Sequence, residues 1–279
     1  MFFLSFLSGA LSTISPFLGM ILVMYFCAKA LGPAIVSPQR ALTAFFVMPL
    51  VTLLINGSSF GTPLMVLDAI IGVGAVAYTF LIVLRRSQYL GQAFLAAALV
   101  IMLYSVARML LFSGVLMQSF NEGINLMQDQ MPALFDAEYM ELAKKLWIMI
   151  LPAFWGVGQI FALLIGFMIF HKTIKVPFKP AEMKFPVIFN LLILAILPLY
   201  FFEAGRALFI NSLILLCTVP LIQGFFSVWV GISKVVSNIA IKSIIMVFVL
   251  IYAFIPLTLI GFADGWMNFS NTKRGGNTA

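Results

Sequence analysis

Very few residues in this chain could do chemistry, and they interrupt long apolar runs. Arg108 stands inside the run 89–117, and Asp68 lies in the first turns of the run 64–84. The stretch 201–231 reads FFEAGRALFINSLILLCTVPLIQGFFSVWVG, with Glu203 and Arg206 at its start and Asn211, Pro220, Gln223 and Gly224 inside. A membrane span needs only about twenty apolar residues. An ionisable group at that depth costs free energy, so each is a candidate site residue whose partner should be named. Asp68 or Glu203 is the partner predicted for Arg108. The competing reading is a structural ion pair, or an arginine that snorkels to headgroups.

The chemistry these residues offer is recognition. Arg108 would fix an anionic group of a ligand, while Asp68 and Glu203 set its orientation and Arg206 adds charge at the same end. Asn211 and Gln223 would supply neutral hydrogen bonds. Pro220 cannot donate to the carbonyl of Leu216, so a kink is predicted there, with the Gln223 amide one turn on to satisfy the freed backbone. The simpler alternative is that Asn211 and Gln223 only join helices.

Reaction chemistry finds no support. The sequence has no Walker A loop, HExxH, CxxC or GxSxG. Its one histidine, His171, sits beside Lys172 at the end of an apolar run. Cys27 and Cys217 both fall within apolar runs and read as buried thiols. No catalytic residue, metal set or cofactor is predicted, and the chain is not read as an enzyme. Any energy for transport would come from an ion gradient or a partner.

These residues must be positioned by elements solvated by lipid. Apolar residues are 63% of the chain and charged residues 9%, with a mean hydropathy of +1.14. A soluble domain carries roughly a quarter charged residues. The prediction is an all-α, polytopic transmembrane helix bundle forming one domain over 1–262, with a polar, flexible tail at 263–279. About eight spans (seven to nine) are predicted, at 2–31, 41–55, 64–84, 89–117, 146–170, 185–202, 207–231 and 239–262. The first is about 45 Å long if helical throughout and contains Pro16. It is read as one broken span, with a re-entrant piece followed by a span as the alternative. It lacks the basic flank of a cleavable signal and is expected to stay in the membrane.

Residues 118–145 are the one long non-spanning segment. Phe120, Ile124, Met127, Met131 and Leu134 recur at helical spacing among Glu122, Asp129, Asp136, Glu138 and Glu141. That pattern predicts an amphipathic segment on the membrane surface, broken at Pro132, with Asp136 capping a second short helix.

The net charge of +7 reports topology, not nucleic-acid binding. With eight spans, ten of the sixteen Lys and Arg residues fall in odd-numbered loops and five in even loops and tails. The odd loops are therefore predicted to be cytoplasmic. Arg108 is then about 28 Å up its helix, near the outer boundary. Asp68, Glu203, Arg206 and Asn211 converge on the same outer half.

Several stretches carry a family resemblance. They are ISPFLGMILVM, INGSSFGTP, IIGVGAVAYTFLIVLRR, KFPVIFNLL after the basic loop with Pro177, and NSLILLCTVPLIQGFFSV. Together they resemble the YybS-like family of bacterial multi-pass membrane proteins, where Asn211 and Gln223-Gly224 match a recurring Asn and Gln-Gly. The N-terminal half is also distantly similar to the substrate-binding membrane subunits of energy-coupling-factor transporters. Those are six-helix bundles that capture vitamins or metal ions from outside. This chain is longer, carries the acidic segment, and shows no clear alanine-rich docking motif.

The reading is a multi-pass protein of the bacterial inner (cytoplasmic) membrane. It would bind a small solute in an outward-facing polar site, as a transporter or the substrate-binding subunit of one. The alternative is a non-transporting scaffold or assembly factor. The partners implied are the lipid bilayer, a small-molecule solute, and a protein partner or energising subunit; nucleic acid is not among them.

Overall fold

The apolar runs fold into helices of very unequal length. The computed structural model describes residues 2–30, 42–57, 59–87, 89–130, 137–175 and 188–267, and contains no strand among them. Two short helices, α1 (Phe2–Ile14) and α2 (Pro16–Ala30), are followed by α3 (Thr43–Asn56) and the longer α4 (Thr62–Ser87). Next come α5 (Leu90–Gln130) and α6 (Ala137–Ile174). Helix α7 (Ile188–Ile196) tightens into a 3₁₀ turn at Leu197–Phe201. Helix α8 (Glu203–Ile232) precedes α9 (Ile239–Tyr252) and α10 (Phe254–Met267).

Four of these are long and apolar enough to cross a membrane, at Thr62–Ser87, Leu90–Gln130, Lys144–Ile174 and Gly205–Ile232. They coincide with the predicted third, fourth, fifth and seventh spans. The count of eight is not supported. The pair α9–α10 is bent by 99°, and counting it as one broken span gives at most five. Pro256 lies in the first turn of α10 and cannot donate to the carbonyl of Tyr252, so the chain breaks at Ala253. Helix α3 has 14 residues and rises only about 21 Å, short of a hydrocarbon core of about 30 Å. The predicted sixth span lies partly outside the described residues, and what is described ends in the 3₁₀ turn at Pro198.

The predicted first span is two helices, not one. Proline starts α2, and the chain folds sharply there, because a Cβ on Gly19 would collide with Ser12. In an unbroken helix those residues would be about 10 Å apart along the axis. The face of α1 that packs inward is small: Ser5, Ser8, Gly9 and Ser12 are buried. A side chain at Gly9 would strike the carbonyl of Phe45, so α1 and the start of α3 meet backbone to backbone.

Where a turn is predicted at 56–59, the Ser59 N–H donates to the carbonyl of Asn56 at 3.2 Å; Ser58 lies outside the described residues. Gly57 and Gly61 hold φ of 57° and 82°, values that strain a side-chain-bearing residue, and they close α3 and open α4. The amphipathic segment is not a separate surface element as far as it is described. Its first part is the continuation of α5, which kinks at Phe112, where φ is −124° and ψ 24°, and then reaches Gln130 as a second helical stretch. Residues 131–136, with Pro132 and the Asp136 cap, lie outside the described residues. Most side chains from Gln118 to Gln130 are exposed.

The core lies where α2, α4, α5 and α6 meet. Phe80, Phe94, Phe167 and Phe170 are fully buried, with Phe80 and Phe170 edge to face at 5.0 Å and Phe94 and Phe167 at 5.6 Å. Glycines on α6 bring α2 close: Gly158 faces Phe17, and Gly166 faces Met24. Helices α8 and α10 cross at a reciprocal pair, where a Cβ on Gly224 would strike the carbonyl of Leu257 and one on Gly261 that of Pro220.

Candidate functional site

Asp68 and Arg108 meet inside the bundle. Arg108 Nε donates to Asp68 Oδ1 at 2.9 Å and Oδ2 at 3.2 Å, and Nη2 donates to Oδ2 at 3.0 Å. The Tyr104 hydroxyl donates to Oδ1 at 2.8 Å. Both charged side chains are nearly sealed, Arg108 12% and Asp68 7% exposed. The guanidinium carbon also lies 4.8 Å from the centre of the Trp155 ring, which packs edge to face on Tyr104. Three helices therefore hold the pair: α4 gives the carboxylate, α5 the guanidinium and phenol one turn apart, and α6 the indole. Shared charge, a fork of hydrogen bonds and a cation–π contact offset the desolvation of both ions.

Local backbone irregularity makes room for this cluster. Just after Asp68, α4 passes through a π turn at Ile70–Ala75. Such a turn widens the helix and leaves a carbonyl without its usual partner. Gln159 Nε2 donates to the carbonyl of Gly72 within that turn at 3.1 Å and to the carbonyl of Pro16 at the α1–α2 break at 3.3 Å. Gly72 has no side chain because the Trp155 indole occupies that place; a Cβ there would sit 2.9 Å from the ring. One buried glutamine thus stitches two helix breaks directly below the ion pair.

The other predicted site residues are not brought to Arg108. Glu203 and Arg206 are exposed at the start of α8, and the side chain of neither joins an ion pair or hydrogen bond among the described residues. Asn211 is buried and serves the backbone of α6. Its Oδ1 accepts from the N–H of Ala153 at 2.8 Å, and its Nδ2 donates to the carbonyl of Met149 at 2.6 Å. Those two groups would bond each other in a regular helix; Pro152 forces the turn open and the amide fills the gap. Asn211→Leu would orphan both and is expected to destabilise the protein by about 3 kcal/mol. Chemical or thermal unfolding in nanodiscs checks this, and a loss under about 1 kcal/mol would mean α6 recloses the bond itself.

Gln223 does not answer the carbonyl of Leu216. It donates to Asp264 Oδ2 at 3.1 Å, as does Ser227 at 3.1 Å. Asp264 had been assigned to a polar tail. Helix α10 instead continues to Met267 and buries this carboxylate to 3% exposure; residues 268–279 lie outside the described residues. Tyr104 was the detectable omission, since it stands four residues before Arg108 on the same helical face. Trp155, Gln159 and Asp264 carry no spacing signal.

A cavity of about 320 Å³ opens at this end, between α5, α6 and α8. Met109 and Ser113 of α5, Lys145, Met149 and Pro152 of α6, and Ala207 of α8 line it. Met109 follows Arg108, and Met149 and Pro152 belong to the turn that Asn211 holds open. Arg108 itself does not line this cavity. No group of three or more potential metal-ligating side chains occurs among the described residues. Cys27 and Cys217 are free thiols, the first buried and the second partly so.

Comparison with known proteins adds no relative: no family model matches the chain, and no curated protein or solved structure matches it either.

Proposed function

We propose that this is a multi-pass protein of the bacterial cytoplasmic membrane that binds a small solute, as a transporter or as the substrate-binding subunit of one. The observation that carries the reading is the cavity of about 320 Å³ between α5, α6 and α8, one residue along α5 from a sealed ion pair. Ligand chambers begin at about that volume and are mostly apolar with a few fixed polar groups. Asp68, Arg108 and Trp155 tie α4, α5 and α6 together beside the cavity.

Basic residues favour an outward-facing chamber by a small excess. Arg85, Arg86, Lys172 and Lys234 lie at or just past the helix ends opposite the cavity, against Lys144, Lys145 and Arg206 at its own end. The distant resemblance to the solute-capturing subunits of energy-coupling-factor transporters points the same way. The test is uptake of small organic acids by vesicles containing the purified protein, alongside thermal unfolding with each acid. A solute that both raises the unfolding temperature and accumulates supports the reading.

The scaffold reading draws on a different observation: Asn211 and most of the Asp68–Arg108 donors are satisfied within the protein. A stable protein partner recovered from native membranes, with no solute altering the unfolding temperature, would select it.

A further inference from the structure

The chamber's walls also say what class of solute it takes. Most of its lining, Met109, Leu116, Met149 and Pro152 among it, offers no hydrogen bond from its side chains. Polar side chains enter in two places, the Ser113 hydroxyl and the Lys145 ammonium. Lys145 is exposed and pairs with no carboxylate among the described residues. Glu203, four residues before Ala207 on α8, is also exposed and makes no ion pair with it. Lys145 lies seven residues before Pro152, about 10 Å along α6, so a cation marks one end of the cavity and apolar walls the other. Lys145 also falls at the first turn of the apolar helix Lys144–Ile174, where headgroups meet hydrocarbon.

The geometry points to a small anionic amphiphile as the ligand of this cavity, its acidic head at Lys145 and Ser113 and its apolar body directed toward Met149 and Pro152. A fully polar solute would leave its hydrogen bonds unmade against those walls, and a cationic one would meet Lys145 head on. The volume corresponds to about ten water molecules of liquid, enough for a short chain or one ring but not for a whole phospholipid. Three methionines, Met109, Met117 and Met149, let the walls adapt to the body's shape. This rests on reading the cavity as a binding chamber; it does not require that the solute be moved across the membrane.

The experiment uses the full chain in nanodiscs of zwitterionic phosphatidylcholine, titrated with octanoate and with octylamine. Octanoate is expected to bind saturably and octylamine at least tenfold more weakly. Lys145→Gln should weaken octanoate at least tenfold and leave the unfolding temperature unchanged, since the side chain is exposed. Leu116→Trp, which fills the chamber, should abolish octanoate binding; if that variant fails to fold, Ser113→Ala, expected to weaken it severalfold, replaces it. Nanodiscs doped with phosphatidylglycerol distinguish the source of the head. Weaker octanoate binding there than in pure phosphatidylcholine, by a competition that more octanoate overcomes, would identify an anionic lipid as the occupant and keep the chemistry. Equal binding of octylamine and octanoate, or octanoate binding untouched by these variants, overturns the proposal. Octanoate binding without uptake of any acid would remove the transport reading alone, and uptake of a polar acid without octanoate binding would remove this inference alone.

Discussion

Arg108→Gln is expected to cost about 3–5 kcal/mol of folding stability, the largest single loss available in this chain apart from core collapse. The reason is asymmetric. Glutamine cannot return the charge that Asp68 loses, and Asp68 is 5% exposed in an interior that offers it only the Tyr104 hydroxyl besides. The remaining carboxylate must either draw in water or take up a proton. Asp68→Asn together with Arg108→Gln should recover most of the loss, because two neutral amides fit where two ions stood. Arg108→Lys should not, since one ammonium cannot make the fork to both carboxylate oxygens or stack on Trp155. Unfolding of the four proteins in nanodiscs gives the cycle. A loss below about 1 kcal/mol for Arg108→Gln, typical of a solvated surface pair, would mean that the guanidinium is not sealed in the bundle.

Gly261→Ala is the second large effect, with an expected loss of about 3 kcal/mol at the upper end of overpacking. A methyl group there would meet the carbonyl of Pro220, and one at Gly224 the carbonyl of Leu257. Backbone cannot rotate aside as a side chain can, so α10 must move away from α8. That movement would also draw Asp264 away from Gln223 and Ser227, which lie within one turn of Gly224. The double variant Gly224→Ala/Gly261→Ala should cost well under the sum, because either methyl alone already separates the helices. If Gly261→Ala unfolds within about 0.5 kcal/mol of the parent protein, the two helices are not in backbone contact.

The two predictions probe different layers of one architecture. The first concerns charge that ties α4, α5 and α6 together beneath the cavity. The second concerns contact without side chains, at which α8 is clamped by the bent α9–α10 pair. Asn211 links the layers, since it sits on α8 and completes the turn of α6 that forms a cavity wall.

Composition and apolar run length determined the class of this protein. Residues at this hydropathy with so few charges have no stable solution in water, and four of the eight apolar runs became the four long helices. The rarity of charge also made Asp68–Arg108 legible: among lipid tails a guanidinium must find a carboxylate, and few were within reach. What tertiary structure alone decided was whether an apolar run crosses or folds back. Helices α1, α2 and α3, and the bend at Ala253, read as spans because periodicity reports the surroundings of a helix and not its direction. It likewise decided partners among equals: Glu203 carries the same charge as Asp68, and only packing left the first in the open and sealed the second. Asp264 looked like tail for the same reason, since a polar residue after an apolar run is buried or free according to what α8 places beside it.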